Sequence, residues 1–296
     1  MHTTETTLTE AELRTQPETW RRAVALAPEH AASLPSAGES VLIVGCGTSW
    51  FMGMSYAKLR EGAGQGVTDA LLPTEVPADR TWDRIIALSR SGTTTEIVDL
   101  LRGTDTPSVL ITAVAGGPAS EHADAEIVLD FADEESVVQT RFATSALALL
   151  RASLGEDLTG AIADVEAVLA EEPAPELVDA EQITFLGTDW TKGLADEAAL
   201  KMRESSQSWT ESYYAMDYRH GPIAIAQPGR VTRMFGAAPE GLAAQVGDTG
   251  ALFVEDERDP MAQLAAVHLW AVRRSEARGL NPDRPRHLTR AVHLDS

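Results

Sequence analysis

The chain has 296 residues, 44% of them hydrophobic, which is enough for two globular domains with buried cores. Its formal net charge of −21 argues against binding to nucleic acid or to an anionic membrane surface, since both need clustered Lys and Arg. The only cysteine, Cys46, excludes an internal disulfide framework and a cysteine-based zinc site.

The first elements in chain order are helix and strand signals typical of an α/β fold. A helix is predicted over residues 9–34, and Thr9 and Glu12 have the spacing of a capping box at its start. Four runs follow that are apolar throughout, as buried parallel strands are, at residues 41–44, 85–88, 109–112 and 127–129. The stretches between them suit crossover helices. A helix at about 137–153 closes this half.

An acidic stretch with two prolines, residues 171–180, is interpreted as a linker. After it the pattern restarts: Ile183–Gly187 parallels Val41–Gly45, and Lys201–Glu204 parallels Lys58–Glu61. This weak internal repeat favours two related lobes, although a strand followed by glycine also arises by chance. The remaining predicted elements are helices at about 192–208 and 260–278 and strands at 231–235 and 251–254. We expect an N-terminal helical segment (1–40), a first lobe (41–170), and a second lobe with a C-terminal tail (171–296).

Two polar loops follow strands of the first half. Ser89–Thr95, named here the hydroxyl loop, has five hydroxyls in seven residues and leads into a helix. Hydroxyls and the N–H groups of a helix start together can hold phosphate, whereas simple N-capping accounts for only one or two hydroxyls. The earlier loop, Gly45–Ser49, lacks the glycine spacing and acidic partner of a dinucleotide site. Cys46 within it fits a small structural residue better than a nucleophile.

Glu204 and His220 lie in sequence patterns that do not by themselves indicate a functional site. From pattern alone, Glu204 is an ordinary helix residue, one turn from Ser208, and His220 lies in a turn with Gly221 and Pro222. Neither pattern predicts a function without further information. The sequence predicts no metal ion and no cofactor. The polar start of the chain is unlike a signal peptide, and no apolar run is long enough to span a membrane, so we expect a cytoplasmic protein.

Seven motifs in order resemble the sugar isomerase (SIS) family, which includes the isomerase half of glucosamine-6-phosphate synthase and stand-alone aminosugar-phosphate deaminases. They cover nearly the whole chain: TQPETWRRA (15–23), GCGTSW (45–50), SRSGTTTE (89–96), ESVVQTRFAT (135–144), ALKMRE (199–204), RHGP (219–222) and NPDRPRHL (281–288). The resemblance implies two flavodoxin-like lobes, each a three-layer αβα arrangement around a parallel sheet, with an N-terminal helix and a C-terminal tail.

The resemblance also implies roles for residues of this chain. Thr48 and Ser49 correspond to sugar and phosphate contacts. The phosphate loop corresponds to Ser89, Arg90, Ser91 and Thr94. Val137 and Gln139 match a stretch that touches the sugar. Glu204 corresponds to the base that carries a proton between C1 and C2, and His220 to the residue that assists ring opening from the neighbouring subunit of a homodimer.

Three departures from the family pattern bear on the reaction. Because the chain begins about 40 residues before its first strand, we expect no glutaminase segment and no supply of ammonia from glutamine. Arg90 stands where the synthase has glutamine, and a guanidinium can grip phosphate with two donors. Arg290 replaces the family lysine, and because arginine stays protonated it can neutralise a developing enediolate but cannot form a Schiff base.

Two classes of function therefore remain open. The first is an enzyme acting on an aminohexose or ketohexose 6-phosphate through an enediol or enolamine, as a deaminase, an aldose–ketose isomerase or a fructosamine-phosphate deglycase. With no glutaminase segment, we expect the deaminating direction. The second is a non-catalytic phosphosugar sensor, and the acidic N-terminal segment makes DNA binding unexpected for it.

Overall fold

A computed structural model describes residues 6–291 of the chain. The chain divides into two compact units. Among the described residues, the first unit contains 18–135, 141–158 and 289–291, and the second contains 6–17, 136–140 and 159–288. The segment boundaries that we place after residues 40 and 170 stay a prediction.

The predicted N-terminal helix is two helices, α1 (Leu8–Leu13) and α2 (Gln16–Leu26), followed by turns. Thr7 caps α1 by accepting a hydrogen bond from the Glu10 N–H at 3.2 Å. The Thr9 hydroxyl instead donates to the Asp283 carboxylate at 2.7 Å. The predictions of one continuous helix at 9–34 and of a capping box at Thr9 are therefore wrong.

The first unit is built on a five-stranded parallel sheet with the strand order β2-β1-β3-β4-β5. Its strands are β1 (Val41–Gly45), β2 (Thr68–Leu71), β3 (Arg84–Leu88), β4 (Ser108–Thr112) and β5 (Ala125–Val128). The helices that follow α2 in this unit are α3 (Thr48–Gly62), α4 (Thr95–Arg102) and α5 (Arg141–Ser153). β1 and β4 are buried along their whole length, as continuous apolar runs predict.

The second unit is built on a four-stranded parallel sheet with the order β7-β6-β8-β9. Its strands are β6 (Gln182–Gly187), β7 (Thr210–Tyr214), β8 (Arg230–Phe235) and β9 (Leu252–Val254). Its further helices are α6 (Thr159–Leu169), α7 (Pro175–Val178), α8 (Thr191–Ser206), α9 (Leu242–Gly247) and α10 (Pro260–Ala277). α10 packs against both α8 and α6. Within residues 6–291, no helix is long and apolar enough to cross a membrane.

The two sheets share one local design. In each, the first strand lies between the next two strands of the chain and ends in a glycine that lies against the start of the following helix. A Cβ on Gly45 would lie 2.7 Å from the main chain of Ser49, and a Cβ on Gly187 would lie 2.4 Å from the Thr191 carbonyl oxygen. The close approach therefore requires glycine at both strand ends. The predicted fold class, two α/β lobes with central parallel sheets, is confirmed.

The start of α5 and the end of α8 differ from the predicted helix boundaries. α5 begins at Arg141 rather than near 137, since the buried Glu134 carboxylate accepts the N–H groups of Arg141 at 3.0 Å and Phe142 at 3.2 Å. α8 ends at Ser206 because Gln207 adopts a left-handed conformation with φ of 50°. Ser208 thus lies beyond the helix and not one helical turn from Glu204. The predicted linker at 171–180 contains the short helix α7.

Candidate active site

The two polar loops of the first unit leave the same edge of its sheet. β1 and β3 are adjacent and parallel, so Gly45–Ser49 and the hydroxyl loop both begin at carboxyl ends of neighbouring strands. Ligands of open α/β sheets bind at this edge. The loops lead directly into α3 and α4, whose first turns supply main-chain N–H donors and a partial positive charge.

Hydroxyls of the hydroxyl loop bond to one another rather than capping the helix. The Ser89 and Thr94 hydroxyls lie 3.2 Å apart, and the Thr93 hydroxyl donates to the Ser91 oxygen at 2.8 Å. Thr94 is the N-cap residue of α4, yet its side chain makes no capping hydrogen bond. Gly92 turns the chain with φ of 64°. The arrangement therefore goes beyond simple N-capping and leaves the first turn of α4 uncapped by Thr94.

The neighbouring loop brings Thr48 and Ser49 to the start of α3. Both side chains are buried, and the N-cap residue Gly47, with φ of 53°, supplies no side-chain cap. Burial, with a smaller contribution from the Glu96 carboxylate, raises the pKa of the half-buried Cys46 thiol to about 11. A thiol with a raised pKa is a poor nucleophile at neutral pH, which agrees with a structural role for Cys46.

Arg90 points away from solvent and is 2% exposed. One terminal nitrogen of its guanidinium donates to the Glu134 carbonyl at 3.1 Å, and the other donates to the Arg290 carbonyl. The Arg290 side chain in turn donates to the Glu134 carbonyl at 2.8 Å and to the Asp133 carboxylate at 2.7 Å. The two arginines at which this chain departs from the family pattern are thus linked to each other in the first unit.

Glu204 lies in the last turn of α8, in the second unit, beside a buried lysine. The Lys201 ammonium, 1% exposed, donates to the Glu204 carboxylate, which retains 18% exposure. A second carboxylate on the same helix, that of Glu197, lies 3.5 Å from the Lys201 ammonium and is 1% exposed. The arrangement holds one accessible carboxylate next to a fixed positive charge.

A cavity of about 410 Å³ opens beside Glu204. Its walls are the end of α8 and the residues after it, with Arg286, His287 and Leu288 from the C-terminal segment. His287 has a left-handed backbone, with φ of 63°. Such a conformation is uncommon outside glycine and is found preferentially at functional sites.

The remaining predicted residues also belong to the second unit. His220 ends a short 3₁₀ turn, Asp217–His220, and is exposed. Val137 and Gln139 are half-buried, and the Gln139 amide oxygen has no hydrogen-bond partner among the described residues. Neither His220 nor these two residues line the cavity at Glu204. Their sugar contacts and the cross-subunit role of His220 stay predictions.

Comparisons with known proteins match the chain over most of its length. It is 27% identical over 330 residues to the isomerizing glutamine–fructose-6-phosphate aminotransferase of Aeropyrum pernix, a match that covers 90% of the chain and 53% of the relative. The Sulfolobus acidocaldarius protein of the same name is also 27% identical, with 89% and 51% covered. The chain spans about half the length of these curated relatives. No family model matches it.

Solved structures show the same fold. Glucosamine-6-phosphate deaminase from Thermotoga maritima superposes with a TM-score of 0.82 at 22% identity, covering 97% of this chain and 100% of the other. The C-terminal domain of glucosamine-fructose-6-phosphate aminotransferase from Francisella tularensis gives a TM-score of 0.76 at 18% identity, covering 94% and 98%. The predicted resemblance to the sugar isomerase (SIS) family is confirmed.

Three features of the candidate site were not predicted from the sequence. These are the Lys201 ion pair with Glu204, the left-handed His287 at the cavity, and the Glu134 carboxylate that starts α5. The first has a signal in the sequence, because Glu197, Lys201 and Glu204 recur at helical spacing in α8 beside the apolar Leu194, Ala198 and Met202. The other two depend on loop geometry, which residue spacing does not report.

Proposed function

We propose that the chain is a phosphosugar isomerase or deaminase that moves a proton between C1 and C2 of an aminohexose or ketohexose 6-phosphate. The observation that carries this proposal is the pairing of an accessible carboxylate, Glu204, with the buried ammonium of Lys201 in a chain that also holds the hydroxyl loop. The solved structures of the same fold include a glucosamine-6-phosphate deaminase and the tagatose-6-phosphate ketose/aldose isomerase of Escherichia coli.

The phosphate group is proposed to bind at the two loops of the first unit. Ser89, Ser91 and Thr94 offer hydroxyls, and the start of α4, which the Thr94 side chain does not cap, offers main-chain N–H groups with the positive end of the helix dipole. Thr48 and Ser49 extend the site along the same sheet edge. Binding through neutral donors suits a chain with a net charge of −21.

Glu204 is proposed as the base of the reaction. Its carboxylate accepts the C2 proton of the open-chain aldose, leaving an enediol or, with an aminosugar, an enolamine, and returns the proton to C1. For an aminosugar, the resulting imine at C2 then adds water and releases ammonia, so that glucosamine 6-phosphate and water give fructose 6-phosphate and ammonia. Lys201 holds the carboxylate in place, which a positioned base requires.

Three further roles complete the proposal. His220 is proposed to donate a proton to the ring oxygen as the sugar opens, delivered by the partner in a homodimer, in keeping with its exposed position. Arg290 is proposed to stabilise negative charge on the enediolate. Val137 and Gln139 are proposed to contact the sugar.

The test is turnover by the purified chain. The substrates are glucosamine 6-phosphate, with ammonia as the readout, and a panel of aldose, ketose and fructosamine 6-phosphates, with solvent deuterium incorporated at C1 or C2 as the readout. Glu204→Gln is expected to lower turnover by about 10²–10⁴-fold while phosphosugar binding persists. Glu61→Gln is the matched control, since Glu61 pairs with Lys58 at the corresponding place in the first unit.

Two results would contradict the proposal. One is the absence of both ammonia release and deuterium exchange across the panel. The other is equal turnover by the native chain and Glu204→Gln. If phosphosugars stabilise the native chain and Glu204→Gln equally in thermal unfolding but neither turns them over, the chain is a phosphosugar sensor.

A further inference from the structure

Arg90 occupies the hydroxyl loop but directs its side chain into the protein. Its own carbonyl accepts hydrogen bonds from the Thr112 hydroxyl and the Ala113 N–H, both at 3.0 Å, which fixes the residue against the end of β4. Its guanidinium is nearly fully buried. The main chain of Arg90 is thus bonded to the end of β4, and its side chain is buried.

Both terminal nitrogens of the guanidinium donate to main-chain carbonyls, those of Glu134 and Arg290. Glu134 is fully buried, and its carboxylate accepts hydrogen bonds from the first N–H groups of α5. One of the two acceptors is therefore a buried part of the first unit. The other belongs to the C-terminal segment.

Arg290 is held from two directions. Arg90 binds its carbonyl, while its own guanidinium binds the Glu134 carbonyl and the Asp133 carboxylate. Arg290 and Asp133 are exposed or half-buried, and an ion pair at that exposure stabilises little on its own. The buried contact from Arg90 is thus the firmer of the two attachments.

We infer that Arg90 is a positioning residue that fastens the C-terminal segment at Arg290 to the hydroxyl loop, rather than a ligand of the phosphate group. Planar guanidinium geometry suits this role, since it offers separate donors to two acceptors at once. Lysine offers a point charge and glutamine a shorter arm. The part of this inference that concerns phosphate rests on the proposed function, whereas the attachment of the C-terminal segment does not.

The experiment compares Arg90→Gln with the native chain by two independent measurements. Hydrogen exchange of the main-chain amides at 286–291 is expected to rise at least tenfold in Arg90→Gln, since the segment loses its buried attachment. Affinity for inorganic phosphate is expected to change less than about threefold, whereas loss of a charged ligand would weaken it by about 10- to 100-fold. Arg102→Gln, an exposed arginine of the same unit paired with Asp99, should change neither.

A chain ending at residue 288 tests the same contact without altering Arg90. Removal of residues 289–296 is expected to raise amide exchange in the hydroxyl loop, because the Arg90 guanidinium loses an acceptor. In the full chain, Arg90→Gln is expected to lower kcat with little change in KM, because Arg290, the proposed stabiliser of the enediolate, loses its buried attachment. A tenfold loss of phosphate affinity in Arg90→Gln with unchanged exchange at 286–291 would overturn the inference, as would unchanged loop exchange in the shortened chain. Failure of the proposed function is seen separately, as absence of turnover in the native chain.

Discussion

Lys201 donates to the Glu204 carboxylate from a position that is 1% exposed, one helical turn earlier on α8. The second carboxylate near it, Glu197, is equally buried. A buried ammonium needs carboxylates beside it, and removal of one member of a buried ion pair leaves a charge without its counter-charge. The Lys201–Glu204 ion pair therefore contributes to the stability of the second unit and also positions the proposed base.

Lys201→Met removes the shared positive charge. We expect the free energy of unfolding to fall by about 3–5 kcal/mol, because the buried Glu197 carboxylate loses its cation. We expect turnover to fall by at least about tenfold, because Glu204 loses the contact that orients its carboxylate. Denaturant unfolding and steady-state kinetics measure the two effects.

Two variants separate these effects of Lys201. Lys58→Met removes the corresponding pair with Glu61, whose side chains are 48% and 35% exposed, and should cost less than about 1 kcal/mol. Glu197→Gln combined with Lys201→Met should recover stability without recovering turnover. If the double variant regains turnover as well, Lys201 acts only through folding.

Gly92→Ala tests the hydroxyl loop through its backbone. Gly92 has φ of 64°, which a residue with a Cβ adopts at a cost of about 1–2 kcal/mol, and the added Cβ would lie 3.4 Å from the Thr112 hydroxyl oxygen. We expect stability to fall by about that amount and phosphate affinity to fall at least tenfold as the loop shifts. Calorimetry with inorganic phosphate measures the affinity.

Gly64→Ala provides the matched comparison for the loop. Gly64 has φ of 69° in the same unit, with nothing near the position of its Cβ. Its substitution should cost similar stability but leave phosphate affinity unchanged. Equal affinities in the two variants would argue against phosphate binding at the hydroxyl loop.

The sequence predicts the central strands well, because buried parallel strands are continuous apolar runs. β1, β3 and β4 lie where the runs at 41–44, 85–88 and 109–112 place them. The edge strands β2 and β7 escape prediction because their sequences, TDAL and TESYY, mix polar and apolar residues, as half-exposed strands do.

The sequence reports which residue types the candidate site contains but not where their side chains point. Five hydroxyls before a helix indicate an anion site from the sequence alone. The same sequence presents Arg90 as a phosphate ligand, whereas its guanidinium donates to the carbonyls of Glu134 and Arg290. Those acceptors lie far away along the chain, so no local pattern reports them.

His268 on α10 gives a pH dependence to the stability of the second unit. Its ring is fully buried, 3.5 Å from the Gln16 side-chain amide, and burial, with a smaller contribution from Lys201, lowers its pKa from 6.5 to about 3. Below about pH 6.5 the unfolded chain takes up a proton that the folded core excludes. The free energy of unfolding therefore decreases as pH falls from 6.5 towards 3, by up to about 1.4 kcal/mol per pH unit from this residue.

His268→Leu removes this titration. Urea unfolding at intervals between pH 4 and 8 should show a smaller decrease in stability on the acid side for the variant than for the native chain. The two curves should run parallel above about pH 7, where histidine is neutral in both the folded and the unfolded chain. A difference between the curves that stays constant down to pH 4 would mean that His268 is protonated as readily in the fold as in the unfolded chain.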